Sequence, residues 1–114
     1  MIESYAFGKM GIDGQVYTQD LMILPSGEVV SSWSRKAGHE LLASDIGVLI
    51  EARLDFLVIG TGCIGLMKPD PGLCSALEAG GTTAVVLPTQ QAAGEYNSLR
   101  GQGKQVGACF HLTC

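Results

Sequence analysis

The spacing of hydrophobic positions changes near the middle of the chain, and this change divides the predicted elements into two groups. In the first third, short runs of β-forming residues alternate with turn residues, as in an antiparallel meander. Asp13 and Gly14 supply the positive φ angles of a tight two-residue hairpin turn, and a second turn covers residues 25–27. The predicted strands cover residues 5–12, 15–17, 21–24 and 29–33. The sequence therefore predicts an N-terminal β-meander.

In residues 55–114, continuous apolar runs alternate with segments of helical spacing. Such runs are typical of strands that are covered on both faces. Asp70 is a helix N-cap, Pro71 suits the first helical position, and Gly80 with Gly81 ends the same helix. The predicted strands cover residues 56–59, 83–87 and 105–112, and helices cover residues 44–53, 71–80 and 88–101, the first of them after a turn at Gly38 and His39.

This alternation predicts βαβ crossovers and hence a largely parallel sheet covered on both faces. The chain has 114 residues, of which 46% are hydrophobic and 16% are charged, with a mean hydropathy of +0.28. These values match one compact domain of common size. We expect residues 1–114 to form a single α/β domain.

Composition and charge limit the classes of binding partner and the cellular location that we expect. The net charge is −4, and Arg35 with Lys36 forms the one adjacent basic pair, so we expect no nucleic-acid groove. Apolar runs reach about five residues, far short of the ~20 of a membrane span. The first residues lack a secretory signal pattern, so the four cysteines are expected to be free thiols in the cytoplasm.

Residues 60–65 read G-x-G-x-x-G directly after a predicted strand, where a dinucleotide fingerprint would stand. In that motif the glycines open a helix, whereas here Pro69 and Pro71 interrupt the chain first. The next strand ends at Pro88 without the acidic residue that binds ribose. We therefore expect no nucleotide cofactor, and the segment is either a glycine-rich turn or a ligand loop.

Cys109, His111 and Cys114 collect two thiols and an imidazole within six residues, which raises the question of zinc. On an extended strand Cys109 and His111 share a face and Cys114 points to the other, and no C-x-x-C pair adds ligands. We expect no metal. The segment is then a packed strand end, or His111 and Cys114 have a polar or catalytic role.

The loop of residues 33–39 carries a second candidate group. Arg35, Lys36 and His39 combine a guanidinium, an ammonium and an imidazole, a composition that suits carboxylate or phosphate recognition. The alternative is a solvated loop with Trp33 in the core.

Several motifs in order along the chain carry a family resemblance. They are Tyr5-x-Phe7-Gly8, Trp33-Ser34-Arg35, Gly38-His39, Gly60-Thr61-Gly62, Thr89-x-x-Ala92, Tyr96-Asn97 and His111-Leu112-Thr113-Cys114. With these motifs the chain resembles the adipogenesis-associated Mth domain-containing family over nearly its whole length, as a single Mth-type domain. The resemblance implies a three-layer β plus α/β/α fold around a mixed, mostly parallel sheet. The family includes an assembly factor for mitochondrial respiratory complex I, and it offers no catalytic residue to transfer.

Two functional hypotheses follow. The first is a non-enzymatic protein-interaction module, similar to an assembly factor, that binds another protein or a second copy of itself. The second is a small anionic ligand site, or an enzyme, at the carboxyl ends of the strands. It requires the last strand to be parallel to the others. Its candidate residues are Arg35, His39, Thr61, Cys63, Thr89, His111 and Cys114.

Overall fold

In the computed structural model, which describes residues 1–36 and 39–114, the chain opens with three antiparallel strands. They are β1 (Ile2–Ala6), β2 (Lys9–Ile12) and β3 (Gln15–Tyr17), and they form a sheet of their own. Asp13 and Gly14 have φ angles of 48° and 84°, which confirms the predicted hairpin turn. The predicted strand over residues 5–12 is wrong in one respect, since a turn at Phe7 and Gly8 divides it into β1 and β2.

The remaining elements follow in chain order. They are β4 (Leu21–Ile23), β5 (Val29–Val30), β6 (Glu40–Leu41), a 3₁₀ turn (Ala43–Ile46), α1 (Gly47–Glu51), β7 (Phe56–Gly60), β8 (Lys68–Pro69), α2 (Pro71–Ala79), β9 (Thr83–Leu87), α3 (Thr89–Gly101) and β10 (Val106–Phe110).

The central sheet has five strands in the order β5-β4-β10-β7-β9. β10 runs parallel to β7, β7 runs parallel to β9, and β4 pairs antiparallel with β10. Gly60 is the register partner of both Phe110 and Leu87, so the three parallel strands end level with one another. The last strand therefore has the direction that the ligand-site hypothesis requires.

Two hydrophobic clusters lie on opposite faces of this sheet. One joins Phe110 to Tyr96 of α3 and to Met10 of the three-stranded sheet. The other joins Cys109 to Leu49 of α1 and to α2. Helix α3 and the three-stranded sheet thus form one outer layer, α1 and α2 form the other, and the predicted three-layer fold around a mixed sheet is confirmed.

Local differences from the prediction have local causes. The predicted meander is shared between two sheets, and the strand predicted over residues 29–33 ends at Val30, since Ser32 takes a φ of 59°. The helix predicted over residues 44–53 is a 3₁₀ turn followed by α1, with a break at Ile46. The parallel pair of β6 and β8 was not predicted. Of the predicted turn at Gly38 and His39, Gly38 lies outside the described residues.

The signals for α2 are confirmed. The Asp70 side chain accepts a hydrogen bond from the Gly72 amide at 3.1 Å, Pro71 is the first helical residue, and the helix ends at Gly80. Among the described residues, no helix is long and apolar enough to cross a membrane.

Candidate functional site

The level ends of β7, β9 and β10 bring five of the seven predicted site residues to one edge of the sheet. Those five are Thr61, Cys63, Thr89, His111 and Cys114. Parallel strands that end in register deliver the segments after them to the same place. The hydrogen bonds between these segments show how closely they meet.

Thr89 joins all three segments. Its hydroxyl donates to the carbonyl oxygen of His111 at 2.6 Å and accepts from the amide of Gly62 at 2.9 Å. The side chain is fully buried. Thr89 is thus placed as an internal link and not as a group open to solvent.

The glycine-rich segment packs against the end of the chain instead of opening a helix. Gly62 has a φ of +108°, and a Cβ at this position would collide with the carbonyl group of Cys114. The amide of Cys63 donates to the carbonyl oxygen of Thr113 at 2.6 Å, and the amide of Leu66 donates to that of Cys114 at 2.9 Å. The glycine is therefore explained by close backbone packing, without a phosphate.

A charged cluster lies beside this edge. Asp20 Oδ2 is 2.8 Å from Nδ1 of His111 and 2.9 Å from Nη1 of Arg35. Nη2 of Arg35 is 3.1 Å from the same His111 nitrogen. The side chains of Arg35 and His111 are only 4% and 7% exposed. The cluster is a compact group in which a carboxylate faces a guanidinium and an imidazole.

The pKa of Asp20 reports this environment. Burial raises the pKa, but the hydrogen bond from the Leu112 amide, the contacts with His111 and the hydrogen bond from Arg35 lower it, and the net result is a pKa below the ordinary 3.8. The amide of Leu112 donates to Asp20 Oδ1 at 2.8 Å. Asp20 is therefore held as a carboxylate at neutral pH.

The loop candidates join the same cluster. The guanidinium carbon of Arg35 stacks 4.9 Å from the ring centroid of Trp33, whose indole nitrogen donates to the Asp45 carbonyl oxygen at 2.9 Å. The ring of His39 lies 5.8 Å from that of His111, edge to face. The two histidines, which are far apart in sequence, are thus neighbours in space.

Tyr5 and Asp20 belong to the site but were missed as site residues. The Tyr5 hydroxyl donates to the carbonyl oxygen of Leu112 at 2.8 Å. Burial raises its pKa to about 12, and the nearby groups of Cys63, Asp20 and Cys114 act in the same direction. Asp20 directly precedes the apolar run of β4, and a lone carboxylate before a buried strand was the available signal.

The thiols differ in exposure. Cys63 is exposed, Cys74 and Cys114 are intermediate, Cys109 is buried, and all four are free. Burial raises the pKa of Cys109 to about 12, which keeps it a neutral thiol. Within residues 1–36 and 39–114, no group of three or more His, Cys, Asp or Glu side chains could hold a metal ion.

Comparisons with known proteins place the chain in a family. Residues 2–111 match the family described as protein of unknown function (DUF498/DUF598). A conserved hypothetical protein from Pyrococcus horikoshii has a similar structure, with a TM-score of 0.88 and 27% identity, covering 100% of this chain and 99% of that one. The protein MT938 is similar at a TM-score of 0.86 and 25% identity, with coverage of 100% and 98%.

A Mth938-like domain from Bordetella pertussis shares the fold at a TM-score of 0.68 and 19% identity, over 98% of this chain and 85% of that one. The motif resemblance is thereby confirmed at the level of an Mth938-like domain of unknown function. The chain belongs to the DUF498/DUF598 family.

Proposed function

We propose that this protein is a non-enzymatic protein-binding module, comparable to an assembly factor, whose binding surface lies at the carboxyl edge of the sheet. The observation that supports it most is the exposure of three large apolar side chains. Ile64 is 70% exposed, Phe7 is 60% exposed and Leu66 is 42% exposed. Apolar side chains that gather in one exposed region are typical of interaction sites.

Backbone hydrogen bonds support this location, because they join both segments that carry these residues to the end of the chain. The amide of Gly8, next to Phe7, donates to the carbonyl oxygen of Leu112 at 2.8 Å. The amide of Leu66 donates to the carbonyl oxygen of Cys114 at 2.9 Å. A loop near the start of the chain and a loop from its middle therefore both bond to the segment 111–114, and each carries exposed apolar residues. We call Phe7, Ile64 and Leu66 the apolar rim.

The charged cluster supports a structural role more than a catalytic one. Arg35 and His111 are nearly excluded from solvent, and both face Asp20. A general base must come within hydrogen-bond reach of the proton it takes. Groups that are buried against one another instead hold the end of the chain in position beside the two loops that carry the apolar rim.

The proposal extends to the setting of the protein. The partner is another protein or a second copy of this chain, and the location is the cytoplasm, where four free thiols would stay reduced. We also propose that residues 1–114 fold as one unit, since both hydrophobic clusters draw on the central sheet.

The test compares two charge-introducing variants. Ile64→Asp places a carboxylate in the apolar rim, and Val48→Asp places one at another exposed site. Val48 is 50% exposed on α1, whose Leu49 packs near the amino end of β10. Both variants are first checked for an unchanged circular dichroism spectrum and Tm.

The measurement is analytical ultracentrifugation for self-association, together with quantitative affinity capture from a lysate of the source organism. We expect Ile64→Asp to abolish the association that the wild type and Val48→Asp share. If the two variants behave alike, or if the wild type neither self-associates nor binds any protein, the proposal is wrong.

One observation favours a second candidate, a site for a small anion. Nε2 of His111 is buried and has no hydrogen-bond partner among the described residues. The centroids of the His39 and His111 rings are 5.8 Å apart, and Arg35 adds positive charge on the Nδ1 side of His111. A buried nitrogen without a partner needs an explanation, and a bound water or ion is one of them.

Titration with inorganic phosphate, followed through the ring-proton NMR signals of His39 and His111, tests the second candidate. It predicts a saturable shift of both rings in the wild type. In His39→Gln, followed through the His111 ring alone, the affinity for phosphate should fall at least about tenfold. A linear drift without saturation would exclude phosphate as the ligand.

A further inference from the structure

Two of the free cysteines, Cys63 and Cys114, belong to segments whose backbones are in contact. The segment 62–66 and the segment 113–114 are joined by the bond from the Cys63 amide to the Thr113 carbonyl oxygen, at 2.6 Å, and by the bond from the Leu66 amide to that of Cys114, at 2.9 Å. A Cβ on Gly62 would collide with the carbonyl group of Cys114. The residues before Cys63 and at Cys114 are therefore in van der Waals contact.

We propose that Cys63 and Cys114 are an oxidation site, in which peroxide oxidises the exposed Cys63 and Cys114 resolves it to an intramolecular disulfide. A disulfide needs Cα atoms about 4.4–6.8 Å apart, and the 2.6 Å bond from the Cys63 amide to the carbonyl oxygen of Thr113, the neighbour of Cys114, brings the two backbones within about that range. This inference is independent of the protein-binding proposal.

Tyr5 provides a second observation that links Cys63 and Cys114. Its hydroxyl donates to the carbonyl oxygen of Leu112, and the groups of Cys63 and Cys114 both raise its pKa. Both thiols thus act on the same phenol, in agreement with the backbone contact between their segments.

Exposure assigns the two roles. Cys63 is exposed, as the residue that meets a dissolved oxidant must be, whereas Cys114 is partly covered. The other two thiols are unsuited to either role. Cys109 is fully buried in the core, and on Cys74 burial, followed by the nearby Glu78, raises the pKa and disfavours the thiolate.

The chemistry has two balanced steps with hydrogen peroxide as the oxidant. The Cys63 thiolate attacks one peroxide oxygen, the O–O bond breaks, and Cys63 sulfenic acid and hydroxide form, the hydroxide leaving as water. The Cys114 thiolate then attacks the Cys63 sulfur, the S–O bond breaks, and a second water leaves. Peroxide is reduced to two waters while two thiols become one disulfide, which a dithiol reductant reverses.

The test treats the reduced full-length chain with hydrogen peroxide and counts the thiols. The wild type should lose two of its four free thiols and about 2 Da of mass, and dithiothreitol should restore both. Digestion with trypsin and an endoproteinase that cuts before aspartate separates Cys63 from Cys74, since Asp70 lies between them. Fragment spectra then distinguish Cys109 from Cys114.

Two variants dissect the roles. In Cys114→Ser, Cys63 should stop at the sulfenic acid, which dimedone labels, and no intramolecular disulfide should form. Cys74→Ser is the matched control and should form the 63–114 disulfide as the wild type does. Amide NMR spectra of each reduced variant establish that the fold is unchanged.

A disulfide that joins Cys63 to Cys74, a covalent dimer through Cys63 as the main product, or equal thiol loss in wild type and Cys114→Ser would each overturn the proposal. So would four unchanged thiols at peroxide concentrations that oxidise an unfolded control peptide containing both cysteines.

Discussion

The carboxylate of Asp20 holds the imidazole of His111, with Oδ2 at 2.8 Å from Nδ1. The same carboxylate receives the Leu112 amide on its other oxygen and pairs with the buried Arg35. One side chain at the start of β4 thus fixes the segment that follows β10. Asp20 directly precedes β4, which pairs antiparallel with β10. Its carboxylate therefore connects the end of the parallel strand β10 to the antiparallel part of the sheet.

Asp20→Asn should destabilise the fold substantially. Removing one member of a buried ion pair costs about 3 kcal/mol, since the Arg35 charge stays in place without its counter-charge. The matched control is Asp13→Asn, where the side chain is 70% exposed in its pair with the N-terminal ammonium and the loss should stay within about 0.5 kcal/mol. Urea unfolding measures both, and equal losses would show that Asp20 acts only as a surface charge.

The stabilisation by Asp20 should also depend on pH. Its pKa is lower in the folded protein than the ordinary 3.8. A carboxyl with a depressed folded pKa stabilises the fold above its unfolded pKa, and this contribution is lost as the pH falls through the folded value. The difference in unfolding free energy between the wild type and Asp20→Asn should therefore be constant near neutral pH and narrow below about pH 4. A difference that stays constant down to acid pH contradicts this reading.

Much of the site's position could be predicted from local sequence. Three apolar runs gave the three parallel strands, and their common direction placed Thr61, Thr89 and His111 at one edge. The contribution of the loop residues Arg35 and His39 was also expected as an addition at that edge. Short-range signals suffice here because strand ends follow directly from where apolar runs stop.

Tyr5 and Asp20 could not be found in the same way. Tyr5 meets Leu112 across 107 positions and Asp20 meets it across 92, and each comes from a different sheet. Their positions depend on how β1 and β4 pack against the parallel strands, which periodicity does not encode. Long-range contacts, between layers for Tyr5 and within the central sheet for Asp20, complete the site, and local propensity does not predict them.

Thr89 offers a test of the link between strand ends. Thr89→Val keeps the shape of the side chain but removes the hydroxyl that accepts from Gly62 and donates to the His111 carbonyl. Two buried backbone groups then lose a partner, and we expect a loss of about 3 kcal/mol. Thr89→Ser keeps the hydroxyl and should lose about 1 kcal/mol for the missing methyl.

Amide hydrogen exchange distinguishes the two Thr89 variants further. The Gly62 amide should exchange much faster in Thr89→Val than in Thr89→Ser. Unchanged protection of that amide in the valine variant would show that the hydroxyl does not organise the edge.

A substitution at Gly62 tests whether close backbone packing explains the glycine at this position. Gly62→Ala introduces a Cβ into the space occupied by the carbonyl group of Cys114 and does so at a φ of +108°. Gly81→Ala is the matched control, because Gly81 has a φ of +91° and no heavy atom within 4 Å of the added Cβ. The control should lose about 1–2 kcal/mol for the left-handed backbone alone. Gly62→Ala adds overpacking to that loss and should lower the free energy of unfolding by about 3 kcal/mol more.

Gly62→Ala should also speed amide exchange at Cys63 and Leu66, whose amides bond to the end of the chain. The contrary result is an equal loss of unfolding free energy in both variants, with unchanged exchange at those two amides. That result would mean that the segment 113–114 moves aside without cost and that close packing does not explain the glycine at position 62.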